Sequence, residues 1–72
     1  MKEKIFALIE NTLELEAGTI NENTMIEDVK GWDSLAHVLI IGALESELNI
    51  SIPLDEAVEM TSVAELLEKA GL

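Results

Sequence analysis

Residues 33–49 read DSLAHVLIIGALESELN, and this segment decides the fold. Asp33 is a preferred N-cap residue, because its side-chain oxygen can accept from the free N–H groups of a first helical turn. Asn49 suits the left-handed position that follows a last turn. Ser34 to Leu48 therefore reads as a helix, and its apolar residues form two stripes. Ile40, Ile41, Leu44 and Leu48 lie on one side, with His37 falling toward them, while Leu35, Val38 and Leu39 run to Gly42 on the other. A helix that is apolar nearly all round is normally buried, but a chain of 72 residues cannot easily enclose one. One stripe is expected to face the core. The other is expected to stay partly exposed next to Ser34, as a candidate docking surface.

Toward the N-terminus, Ile5, Leu8, Ile9 and Leu13 recur at the spacing of one helix face and predict a helix over Lys4 to Leu15. Between the two helices, Ile20 to Asp33 has the turn formers Asn21, Asn23 and Gly31 and no sustained period. It reads as a long loop, a feature that is uncommon in compact domains and usually functional, with Ile20, Met25, Ile26 and Val29 available to pin it to the core. Toward the C-terminus, Ile50 and Ile52 alternate with polar residues, but a lone strand would have nothing to pair with. Pro53 marks a break, and Leu54 to Met60 can hold a short helix opening at Asp55, with Ala57, Val58 and Met60 for packing. Ser62 followed by Glu65 is a capping box, and Val63, Leu66, Leu67 and Ala70 continue at helical spacing to Gly71. The chain is thus one all-α domain, residues 1–72.

Fifteen acidic residues against four lysines give a formal net charge of −11. That charge repels a phosphate backbone and an anionic membrane face, so nucleic acid and membrane insertion are poor expectations and basic protein surfaces good ones. Hydrophobic residues make up 49% of the chain, yet only Phe6 and Trp32 are aromatic, so the core must be built from aliphatic side chains. Met1, Lys2, Glu3 and Lys4 pass straight into the amphipathic pattern, without the apolar stretch of a signal peptide or membrane span. The expected location is the cytoplasm, and the expected state a monomer. With no cysteine, any thiol chemistry needs atoms from elsewhere.

Ser34 lies between an N-cap acid and an apolar helix, where free backbone N–H groups and a partial positive charge favour an attached phosphate. Position alone would make it an ordinary first-turn residue. Its surroundings say more. Glu27, Asp28, Val29 and Gly31 precede Asp33, Ser34 and Leu35, and the pattern extends through Ile20, Ala43, Leu44, Glu45, Ile50, Ile52, Pro53, Thr61, Ser62 and Val63. In that order and spacing the chain resembles the acyl carrier protein family. The resemblance implies a four-helix bundle with a short third helix and a long loop between helices one and two. It also implies covalent 4′-phosphopantetheine, taken from coenzyme A, on Ser34, with Asp33 recognised by the phosphopantetheinyl transferase. The arm's thiol would hold acyl intermediates as thioesters for fatty acid, polyketide or related biosynthesis, in exchange with acyl-loading and acyl-transfer enzymes. Ile40, Leu44, Ile52 and Met60 would line an acyl pocket.

The family usually shows partners an acid-rich second helix. This chain has Ala36, Leu39 and Gly42 at the matching outer positions, with Glu45 and Glu47 remaining. A more apolar contact through Leu35, Val38, Leu39, Gly42 and Glu45 is therefore expected. Trp32 stands where the family more often has a small residue, and either touches the arm or a partner or packs onto the loop. Four other functions fit the residues less well. A peptidyl or aminoacyl carrier would more often have a Gly-rich stretch before the serine, and a helical interaction module would need no modified serine. An enzyme built on Ser34, His37 and Asp33 lacks the nucleophile elbow and the separated segments that triads use. The acidic residues Glu22, Glu27, Asp28 and Asp33 lack the ligand spacing of an EF-hand.

Overall fold

A computed structural model describes residues 1–72. Four helices follow one another: α1 (Lys2–Leu13), α2 (Ser34–Leu48), α3 (Leu54–Ala57) and α4 (Val63–Lys69), with a 3-10 turn at Ile26–Asp28 in the long connection between α1 and α2. This is the expected all-α bundle with a short third helix. At 15 residues, α2 is about 22 Å long and spans a molecule whose extents are 26 × 22 × 20 Å. α1 packs along it. Ile40, Ile41 and Leu44 of α2 join Ile5, Leu8 and Ile9 of α1 and Val63, Leu66 and Leu67 of α4 in one buried cluster.

α2 has the expected bounds: Asp33 caps it, and Asn49 takes the left-handed conformation at φ 57°. α1 is displaced, starting at Lys2 and stopping two residues before the expected Leu15. Glu14 adopts φ 58° and donates to the Asn11 carbonyl, while the Leu15 N–H donates to the Glu10 carbonyl at 2.8 Å. These paired bonds make a Schellman stop, which folds Leu15 back against the core. Its apolar side chain matches the helical pattern although its backbone has left the helix. α3 is shorter than Leu54 to Met60 and starts directly after Pro53. Ala57 and Met60 are buried as expected, but Val58 is 64% exposed and packs on nothing inside.

The long loop is tied down at several points. The buried Glu10 carboxylate reaches from α1 to accept from the N–H groups of Gly18 (3.0 Å) and Ile20 (2.9 Å), and Ile20 enters the core. Further along, Met25 and Ser62 form an antiparallel bridge, with the Ile26 N–H on the Thr61 carbonyl and the Val63 N–H on the Thr24 carbonyl, both at 3.0 Å. Ile26 and Val29 pack against the core. Met25 does not, because its contribution is this backbone pairing and its side chain is exposed. The bridge also sets the start of α4, where the Ser62 hydroxyl accepts from the Glu65 N–H. Glu65 turns to Thr61 instead of completing the box at Ser62: its carboxylate accepts from the Thr61 hydroxyl at 2.6 Å and the Thr61 N–H at 3.2 Å. Those two bonds, the hydroxyl's first, hold the Glu65 carboxyl below its ordinary value. No helix is long and apolar enough to cross a membrane.

Glu10 is the one charged side chain in the interior, and Glu10→Ala leaves two loop N–H groups without their acceptor. A loss of about 2–3 kcal/mol is expected, measured by urea unfolding, together with faster amide exchange at Gly18 and Ile20.

Candidate functional site

The loop enters α2 through Gly31, whose φ of 93° lies in the region that other residues rarely adopt. Asp33 follows in extended conformation. Its Oδ1 accepts from the Ala36 N–H at 2.8 Å, and its carbonyl accepts from the His37 N–H at 2.9 Å. Because Asp33 does the capping, the hydroxyl of Ser34, the first residue of α2 and exposed, is left to face outward at the positive end of the helix.

Beside Ser34 lies an open cavity of about 420 Å³. Ile26 and the buried Trp32 and Met60 line its interior side, the exposed Val38 and Val58 its mouth, and Asp33, Ser34 and His37 supply its polar atoms. Met60 is the only one of the four expected pocket residues on this lining. Ile40 and Leu44 have no exposed surface and Ile52 has 6%, so these three sit in the closed core behind the cavity. Helical spacing shows which side chains turn inward, but not where the interior is open.

Trp32 is 7% exposed and does two things at once: it packs into the core and it walls the cavity. Its Nε1–H donates to His37 Nδ1 at 2.9 Å. An indole nitrogen can only donate, so Nδ1 carries no proton, and the proton on Nε2 donates to the Ala57 carbonyl at 2.7 Å. His37 thereby joins the loop, α2 and α3 through one ring. Leaving either partner unpaired in this half-buried place costs about 1–3 kcal/mol. The same bonds dismantle the Ser–His–Asp arrangement: both imidazole nitrogens are occupied by Trp32 and Ala57, and Asp33 is turned to the Ala36 N–H. The sequence places His37 toward the core stripe, but gives no signal for its two partners, nor for Val58 and Ile26 on the cavity.

On the outer side of α2, Leu35, Val38 and Leu39 are 70%, 48% and 55% exposed. Gly42 continues this face, with open space where a Cβ would stand, and Glu45 is exposed one turn further on. Ala36 is partly buried against the core and does not belong to the outer positions expected of it.

The family model for the phosphopantetheine attachment site matches residues 3–69. The chain belongs to that family. It is a carrier and not a catalyst, and its cofactor is covalently attached phosphopantetheine. Among characterised relatives, the acyl carrier proteins of two strains of Porphyromonas gingivalis are each 29% identical over 68 residues, covering 94% of this chain and 87% of theirs. The solution structure of a holo acyl carrier protein from Geobacter metallireducens superimposes with a TM-score of 0.83 at 22% identity, over 99% of this chain and 84% of that one. That likeness establishes the fold.

Ser34 and Asp33 are expected to separate in a stability measurement. Asp33→Ala removes the cap and lowers stability by about 1 kcal/mol. Ser34→Ala removes an exposed hydroxyl and stays within about 0.5 kcal/mol of the parent, both read from urea midpoints.

Proposed function

We propose that Ser34 is the attachment residue, modified from coenzyme A by a phosphopantetheinyl transferase that recognises Asp33, and that the chain holds acyl groups for fatty acid, polyketide or related acyl-transfer biosynthesis. One observation carries this reading. Asp33 takes over the capping of α2, so the Ser34 hydroxyl is exposed, uncommitted and beside an open cavity. The site suits a phosphodiester, since first-turn N–H groups and the helix dipole favour negative charge there. When bound, the group supplies the terminal thiol that carries acyl thioesters, a function for which this chain has no cysteine of its own. The chain's own residues anchor the group at Ser34, keep it at the rim of the molecule, and offer an apolar wall to whatever returns to the surface.

Leu35, Val38, Leu39 and Gly42, at i, i+3, i+4 and i+7, make one face of α2, and we read them as the contact for acyl-loading and acyl-transfer enzymes. Glu45 edges this face, and the chain's net charge of −11 favours a partner with an apolar centre and a basic rim. A monomer acting in the cytoplasm fits this role.

Incubation with coenzyme A and a phosphopantetheinyl transferase is expected to add the mass of one arm, and Ser34→Ala to add none. An arm on Ser34→Ala would place the attachment elsewhere. Leu39→Glu puts a charge in the middle of the apolar face and is expected to lower kcat/KM with the host's loading enzyme about tenfold, while circular dichroism stays unchanged. An unaltered kcat/KM would mean that the face is not the contact.

A further inference from the structure

We propose that Trp32 and His37 form a clamp across Ser34 that places its hydroxyl for arm transfer, which makes both of them positioning residues for that reaction. The inference rests on the reading of Ser34 as the attachment residue.

Asp33 is the N-cap of α2, so Trp32 is the residue just before the cap and His37 the fourth residue of the helix. Side chains at those two places often pack on each other and fix the angle at which the chain enters the helix. Here the contact is a hydrogen bond, 2.9 Å from the indole Nε1–H to His37 Nδ1, and it starts from a buried indole. Ser34 lies inside the span that this bond closes. The approach to the span is loose, because Gly31 takes φ 93° with open space where a Cβ would stand. On that side the chain is held by the Trp32 N–H, on the Val29 carbonyl at 3.2 Å, and by the indole. The Asp33 side chain holds the first turn itself, through the Ala36 N–H, and reaches no residue before the cap. With the Ser34 hydroxyl uncommitted, its place is set by the backbone that carries it.

Arm transfer makes that place matter. The Ser34 oxygen forms a bond to the coenzyme A phosphorus that carries the pantetheine, and the bond from that phosphorus to the bridging oxygen breaks. Adenosine 3′,5′-bisphosphate leaves, and the hydroxyl proton passes to a base of the transferase. Attacking and leaving oxygens must lie nearly in line. A first turn free to fray would hold that alignment less of the time, which lowers the rate within the complex while the surfaces that bind the transferase stay as they are.

The test measures kcat and KM for arm addition from coenzyme A by a phosphopantetheinyl transferase, for the parent and for variants whose folding is checked by circular dichroism. Trp32→Phe keeps an aromatic ring in the core and removes the donor. Its kcat is expected to fall about five- to tenfold, with the KM for the carrier within about twofold of the parent. His37→Leu removes the acceptor together with the bond to Ala57 and is expected to behave alike. His37→Asn also lacks the atom that reaches Ala57, but its Oδ1 branches from the side chain where Nδ1 does and accepts from the indole. It is expected to recover about half or more of the parent kcat. If Trp32→Phe does not fold, the Leu and Asn pair decides alone, since only the first of them lacks the acceptor. A raised KM at unchanged kcat would mean that the variants only lower the amount of competent carrier, and equal kcat for Leu and Asn would mean that the tie to α3 is what counts. Either result overturns the inference and leaves Ser34 as the attachment residue. An arm that fails to attach to the parent, or that attaches to Ser34→Ala, would remove that reading as well.

Discussion

α2 cannot be hidden. It is as long as the molecule is wide, and a domain of this size has too little chain to wrap it on all sides. The rest of the fold follows from which side is covered. α1 and α4 take the Ile40, Ile41 and Leu44 face into the core, and the opposite face is left with three large apolar side chains in water. Burying those too would need more chain, and replacing them with charge would cost the fold little. A single helix thus carries a stripe that the fold requires and, about half a turn away, an apolar stripe that it does not, the one proposed above as a partner contact.

The long loop and the single-turn α3 are held by polar contacts in places where apolar packing alone would leave them loose. A four-residue helix has no independent stability, and α3 persists because Ala57 is buried and its carbonyl is bonded to His37. Likewise the loop is fixed by the Glu10 carboxylate at one end and by backbone pairing with the start of α4 further on. The exposed ion pairs contribute little by comparison. Lys2 to Glu22 at 3.0 Å and Lys69 to Glu56 at 3.4 Å are surface contacts of the kind worth under about 1 kcal/mol.

Periodicity and capping made much of this legible in the chain itself. Asp33 and Asn49 mark both ends of α2 because each residue type has a specific job at a helix terminus, and the two-stripe reading of α2 survives in the burial of Ile40 and the exposure of Leu39. Where a side chain and its backbone serve different ends, the pattern misleads. Leu15 is apolar at helical spacing but lies beyond a left-handed Glu14, a residue type that gives no warning of such a stop. The site divides in the same way. Ser34 and Asp33 are adjacent and readable, whereas the contacts of His37 join residues 5 and 20 positions apart. Whether Met60 or Ile52 faces the open space depends on how α3 is set against α2, which no local pattern encodes.

Trp32 is the only tryptophan in the chain, and it stands at the seam between the loop, α2 and the cavity. Its indole is bonded to an imidazole, with the ring centres 6.0 Å apart and the planes tilted by 38°. Light absorbed at the red edge of the protein band is therefore taken up at one place, an indole in direct contact with that imidazole. The molecule has an optical reporter beside Ser34, one that needs no added label.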